Sequence, residues 1–171
     1  MLLSSVNNKG DTVGSRSKTD LAYIAGFFDG DGSLMLQLKK RNDGASKWRF
    51  MATICLYQDS SHEAPLLWMS DVIGGGYLSR RNDVMTELRI QGFILVRDTL
   101  TLLFPYLRFK KDQADLMLAA LDLLISNKAR QLNTDHLVWL VNQLTAIQDC
   151  NYNSKTRKTK YELYEILGLT P

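Results

Sequence analysis

The chain has 171 residues, 45% of them hydrophobic and 23% charged, with a net charge of +3. That suits one domain with a sizeable core rather than two, and the modest charge excludes a bulk polycation. The only cysteines, Cys55 and Cys150, have no Cys-x-x-Cys or Cys/His spacing, which excludes a disulfide framework or zinc site and suits a reducing compartment. No uncharged apolar run is long enough to span a bilayer, so no membrane partner is expected. Positive charge is clustered at residues 155–160, at Arg80-Arg81 and at Arg108, Lys110 and Lys111. Each run fits either a phosphate-binding face or a solvated surface.

In chain order, residues 1–18 read as a flexible N-terminal tail and 19–171 as the domain. A helix is predicted over 19–28, capped by Thr19 or Asp20, with Leu21, Ile24 and Phe28 at helical spacing. Gly26 inside it costs about 1 kcal/mol relative to alanine, so close approach of another backbone is expected there. The helix is expected to stop at Asp29-Gly30-Asp31-Gly32. A strand follows in which Leu34, Leu36 and Leu38 alternate with Met35, Gln37 and Lys39. After a turn at Asn42-Asp43-Gly44, Trp48, Phe50, Ala52, Ile54 and Leu56 alternate with Arg49, Met51, Thr53 and Cys55. A helix over 61–73 begins at Ser60 or Ser61 and ends at Gly74. A second hairpin pairs Tyr77–Arg81 with Met85–Ile90. Helices over 92–103, 111–126, 134–149 and 159–167 complete the chain.

Helix, hairpin, helix, hairpin and then helices make an α+β fold, an antiparallel sheet with helices on one face. The other face would carry Gln37, Lys39, Arg41, Arg49, Thr53, Arg81, Glu87 and Arg89. Such side chains read base edges in a major groove, and they are equally the content of an ordinary solvated sheet.

Asp29-Gly30-Asp31-Gly32 admits three readings. One is a plain helix-ending turn. A calcium loop is the second, and it fails because position six is Leu34 and position twelve Lys40. The third is a catalytic metal site, where carboxylates join the outward carbonyls of a helix end as hard oxygen ligands for Mg²⁺.

The segment Ile24-Ala25-Gly26-Phe27-Phe28-Asp29-Gly30-Asp31-Gly32 resembles the LAGLIDADG motif, with Ala25, Gly26, Asp29, Asp31 and Gly32 matching letter for letter. The chain is similar to the single-motif homing endonucleases encoded by introns of algal chloroplast large-subunit ribosomal RNA genes. Ile73–Tyr77, Pro105–Ala114 and Ser154–Thr159 match family segments in the same order, so the resemblance runs from Leu21 to near the C-terminus. It implies the αββαββα fold, a curved antiparallel sheet backed by helices, additional C-terminal helices and a homodimer. It also implies a site-specific double-strand endonuclease that recognises a long, pseudo-palindromic DNA target and initiates intron homing in an organelle, the chloroplast.

The resemblance carries roles residue by residue. Asp31 and the Gly30 carbonyl would hold Mg²⁺, with Mn²⁺ or Ca²⁺ able to replace it for binding, and no small-molecule cofactor is implied. Asp29 would close the helix. Gln58 and Lys110 match groups that position water and stabilise charge at the scissile phosphate. His62 stands at a catalytic position where the family pattern carries arginine, and it reads equally as a helix-start histidine with no catalytic duty. Gln37, Lys39, Arg41, Arg49, Met51, Thr53, Cys55, Ser79, Arg81, Glu87 and Arg89 would contact bases. Ser154, Lys155, Lys158 and Thr159 would contact phosphates. One motif per chain and two strands to cut require two copies, whose motif helices would meet at Ala22, Ala25 and Gly26. Three rivals are weighed beside this: an RNA-binding splicing cofactor, an unrelated nuclease using Asp29 or Asp31 with Gln37-Leu38-Lys39, and a non-catalytic DNA-binding regulator.

Overall fold

The computed structural model describes residues 16–42, 47–127, 131–151 and 157–169. Its four strands, β1 (Ser33–Lys40), β2 (Trp48–Asp59), β3 (Tyr77–Arg80) and β4 (Met85–Gln91), form one antiparallel sheet in the order β1-β2-β4-β3. The two hairpins are joined through their long strands, with Ile54 opposite Ile90 and Leu56 opposite Leu88. Period-two alternation does what the sequence implies. Leu34, Leu36, Ala52, Ile54, Leu56, Leu88 and Ile90 are buried together in one core.

The first helix, α1 (Lys18–Asp31), differs from expectation at both ends. Its N-cap is Ser17, whose side chain accepts the Asp20 N–H, in place of Thr19 or Asp20. At the other end it runs through Asp29 and Gly30 to Asp31. Gly32 ends it, its N–H bonded to the Phe28 carbonyl. Only glycine fits here, because a Cβ would lie 2.2 Å from the Phe28 ring and 2.6 Å from the Phe28 carbonyl oxygen. The chain therefore passes from helix to strand with no intervening loop. Arg16, placed by sequence in the tail, is part of the fold. It donates to the Val72 and Ile73 carbonyls at the end of the second helix, α2 (Ala64–Ile73).

β2 runs on to Asp59, three residues beyond the expected Leu56, and leads into a 3-10 turn over Ser60–His62 capped by Asp59. α2 therefore starts at Ala64 rather than residue 61, and ends at Gly74 in the left-handed region expected of a terminal glycine. The later helices are α3 (Phe93–Leu103), α4 (Lys111–Ser126), α5 (Thr134–Asp149) and α6 (Lys160–Leu167). Their apolar stripes fill the core face of the sheet with Val96, Leu100, Met117, Leu121, Leu140, Leu144 and Leu163. Gln113 is buried on α4, and its amide donates to the carbonyls of Leu34 in β1 and Ile147 in α5, tying three elements together. No described helix is long and apolar enough to cross a membrane.

Candidate metal centre and nucleic-acid interface

The two aspartates at the end of α1 have opposite fates. Asp29 is buried, and its carboxylate accepts the backbone N–H groups of Arg108 (2.6 Å), Phe109 (3.2 Å) and Lys110 (3.0 Å). These donors lie just ahead of α4, so one side chain clasps a segment about eighty residues away in sequence. The Lys110 ammonium turns back to donate to the Asp29 carbonyl at 2.6 Å and stands 5.7 Å from the centre of the Phe28 ring. Burial pushes the Lys110 pKa below the ordinary lysine value, against the opposing pull of the Asp29 and Asp31 carboxylates.

Asp31 is exposed and enters no ion pair among the described residues. Its negative charge sits at the negative end of the α1 dipole, an unfavourable place for a carboxylate without a cation. One carboxylate beside outward helix carbonyls, Gly30 among them, is the hard-oxygen donor set of a Mg²⁺ site that takes its remaining ligands from water and phosphate. Among the described residues no group of three or more His, Cys, Asp or Glu is placed to hold a metal, so such an ion would rely on these few oxygens. The residues fit the metal that the sequence implies.

The β1–β2 register sets Ser33 against Cys55, so the end of α1 lies beside the last residues of β2. Gln58 is there, half-buried, its Oε1 accepting the Asp59 N–H. His62 follows in the 3-10 turn, exposed, with Nδ1 2.9 Å from Ser61 Oγ. Behind it, Glu63 is bonded by Arg80 and Thr86. The Arg80 guanidinium holds the Glu63 carboxyl far down, at about 2. The rival core using Gln37 and Lys39 loses its geometry, since at roughly 3.3 Å per residue Gln37 is about 20 Å along the chain from Asp31.

The face of the sheet opposite the core is layered. Lys39, Arg49 and Arg81 are exposed, and Gln37, Arg41, Met51, Ser79 and Arg89 are half-buried. Thr53, Cys55 and Glu87 are only 1%, 0% and 3% exposed, so they form a floor beneath their neighbours, where the alternation alone put them on the surface. Arg89 is ion-paired with Glu87, which fixes the guanidinium. Burial, then the nearby Glu87 charge, pushes the Cys55 thiol up. Arg81 pairs with Asp83 across the hairpin turn. Tyr57 belongs to the same series but escapes a reading that ends β2 at Leu56. Its hydroxyl lies 3.0 Å from Ser33 Oγ, next to the motif.

Of the expected phosphate contacts, Ser154 and Lys155 lie outside the described residues. Lys158 is exposed, with its ammonium 5.9 Å from the centre of the Trp48 ring. Thr159 is the N-cap of α6 in a reciprocal capping box with Glu162, so its side chain already has a structural task. Gln37, Lys39, Lys40, Trp48 and Lys158 line one cleft of about 330 Å³, which joins the outer end of β1 to this segment. On α1, Ala22 and Gly26 are exposed but Ala25 is fully buried in the core, which corrects its expected place at a helix–helix contact. Gly30 takes its place in the exposed stripe. A Cβ on Gly26 or Gly30 would meet nothing within 4 Å among the described residues.

Comparison with known proteins bears on this geometry. The family profile described as LAGLIDADG endonuclease matches residues 24–116. The chain is 33% identical over 146 residues to DNA endonuclease I-CreI of Chlamydomonas reinhardtii, covering 85% of this chain and 86% of that protein. It is 33% identical over 107 residues to DNA endonuclease I-CvuI of Chlorella vulgaris, covering 63% and 66%. The fold superposes on crystal structures of the homing endonuclease I-CvuI with DNA targets, one in the presence of Ca and one of Mg. Each gives a TM-score of 0.79 at 26% identity, over 90% and 88% of this chain and 97% and 94% of those chains. An archaeal intron-encoded homing endonuclease, I-Vdi141I, shares the fold at a TM-score of 0.75 and 15% identity, over 88% of this chain and 95% of that one.

The two aspartates should separate in a urea-unfolding experiment. Asp29→Ala strands three N–H donors and is expected to cost about 3 kcal/mol. Asp31→Asn removes a charge from the wrong end of a helix dipole and should leave stability unchanged or raise it by up to about 1 kcal/mol.

Proposed function

The chain belongs to the LAGLIDADG endonuclease family, and from that premise we propose that it is a site-specific homing endonuclease that cuts both strands of a DNA target with a divalent metal ion. The observation that carries this reading is the exposed Asp31 at the end of α1, in no ion pair among the described residues, with Lys110 near enough to feel its charge, and opening onto the polar face of the sheet. A regulator that only binds DNA has no use for a carboxylate kept solvent-facing where the helix dipole disfavours it. An RNA-splicing cofactor has none either.

Asp31 and the Gly30 carbonyl would hold Mg²⁺ against the scissile phosphate. Mn²⁺ would serve as well, and Ca²⁺ would support binding. A bound ion of this kind stabilises charge on the phosphate and lowers the pKa of a coordinated water. Lys110, fixed through its backbone by Asp29, faces the charge that builds on the phosphate oxygens. Gln58 orients water from the end of β2. Gln37, Lys39, Arg41, Arg49, Met51, Ser79, Arg81 and Arg89 face base edges, while Thr53, Cys55 and Glu87 set the height and rigidity of that layer from below. Lys158, beyond β1, neutralises backbone phosphate; Lys155 adds a second positive charge to that role and the Ser154 hydroxyl a hydrogen bond to phosphate.

One site per chain implies that two chains act together on a pseudo-palindromic target. The α1 stripe Ala22, Gly26 and Gly30 is exposed, with nothing over it among the described residues. It is flanked by exposed apolar groups: Tyr23 (60% exposed) packed edge-on against Trp68, with Leu67 beside it on α2 and Phe109 (88% exposed) next to Lys110. A second copy meeting this face would bring the two α1 ends, and so both Asp31 carboxylates, together over the duplex. The algal relatives make an organelle, the chloroplast, the proposed setting.

Two experiments test the reading. Asp31→Asn should abolish cleavage of the target in Mg²⁺ while target affinity in Ca²⁺ stays within a few-fold. Loss of binding by a folded Asp31→Asn protein would contradict the assignment. Gly26→Leu should convert a dimer to monomers in sedimentation equilibrium. A wild-type chain that sediments as a monomer on its target would overturn the two-copy arrangement.

A further inference from the structure

Asp59, Ser61 and His62 form a hydrogen-bonded relay at the exit of β2. The Asp59 Oδ1 atom accepts both the Ser61 N–H (2.8 Å) and the Ser61 hydroxyl (2.5 Å). A carboxylate only accepts, so the Ser61 hydroxyl proton is committed to it. The Ser61 oxygen is then the acceptor in its 2.9 Å contact with His62 Nδ1, and that ring nitrogen must carry the proton. In the neutral ring the free lone pair is on Nε2, on an exposed side chain.

Two features of the surroundings bear on what this ring does. β2 passes beyond the point where β1 begins, so the turn holding His62 emerges at the same end of the sheet as Asp31. The neighbouring acid, Glu63, is taken up by Arg80 and Thr86. Asp59 itself is held below the ordinary carboxylate range, chiefly by Ser61, and so stays ionised to balance charge on the ring.

We propose that His62, held in one tautomer by Asp59 through Ser61, is the base that takes the proton from the attacking water. The proposal rests on the endonuclease reading above. It supplies the proton acceptor that Asp31, Lys110 and Gln58 do not. Nε2 removes one proton from water. The water oxygen's electron pair forms the new bond to phosphorus, the bridging phosphorus–oxygen bond breaks, and the departing oxygen takes a proton from solvent. His62 then returns its proton to solvent, with its Nδ1–H bond to Ser61 intact throughout. The Asp59 carboxylate, one hydroxyl away and partly exposed, stabilises the imidazolium that forms in between, the role an aspartate plays beside a catalytic histidine. With one donor nitrogen committed and one nitrogen outward, the ring lacks the two-pronged fork by which an arginine would grip phosphate.

Single-turnover cleavage with saturating protein tests this, with DNA binding measured separately in Ca²⁺. His62→Ala and His62→Arg should both bind the target like wild type and cleave it about 100-fold more slowly, the usual worth of a general base. Free imidazole should accelerate His62→Ala about tenfold or more and leave wild type unchanged. Cleavage by His62→Arg at the wild-type rate would show that only positive charge is needed, and would overturn the proposal. So would a slow His62→Ala that imidazole does not rescue. A wild-type chain that binds its target and never cuts it would overturn the endonuclease reading itself, a result distinguishable from either.

Discussion

The site depends on one buried carboxylate. Asp29 gives both its oxygens to the three N–H groups ahead of α4, and in doing so joins the end of α1 to a segment that folds from the other half of the chain. Three amide donors satisfy both oxygens of a carboxylate that burial cuts off from water. Gly32 completes the constraint by turning the chain into β1 at once. With Asp29 committed and Gly32 closing the helix, the next carboxylate, Asp31, is left pointing to solvent, with Lys110 beside the same helix end. One aspartate stabilises the fold so that the other can be held where the fold does not favour it.

The polar face of the sheet shows a similar division. Glu87 is too buried to serve as an exposed acceptor, yet it fixes Arg89 by pairing with it. Cys55 and Thr53 fill space below the longer side chains. A rigid floor suits recognition, because a long side chain that is already oriented loses less freedom when it meets a base edge. The exposed outer groups, Lys39, Arg49 and Lys158, continue the surface towards the phosphates on either side, where charge matters more than fit.

Much of this was legible in the sequence. The alternation in β1, β2 and β4 and the helical spacing in α4 and α5 each depend on residues close in the chain, and those elements form where the pattern puts them, with β2 running on past its expected end to Asp59. The motif resemblance singled out Asp31 and Lys110, and the structure sets Asp31 at the last position of α1 and Lys110 at the N-cap of α4. Local patterns are silent on contacts between distant segments. Nothing near Asp29 announces that its partners are residues 108–110. Ala25 illustrates a subtler limit: residues four apart share a helix face, so Ala22, Gly26 and Gly30 line up, while Ala25 turns towards the core. Thr53, Cys55 and Glu87 have the right parity for the outer face, but parity does not report what the long side chains of neighbouring strands cover. The relay from Asp59 to His62 became visible only once β2 proved to run to Asp59.

The central claim is that a divalent cation sits on Asp31 against a DNA strand. Anomalous diffraction from Mn²⁺, in crystals of the chain with its DNA target, tests it most directly. The account predicts a manganese peak in coordination contact with the Asp31 carboxylate and a phosphate oxygen, repeated in both copies of the site. A peak bound elsewhere, with Asp31 facing no phosphate, would contradict it.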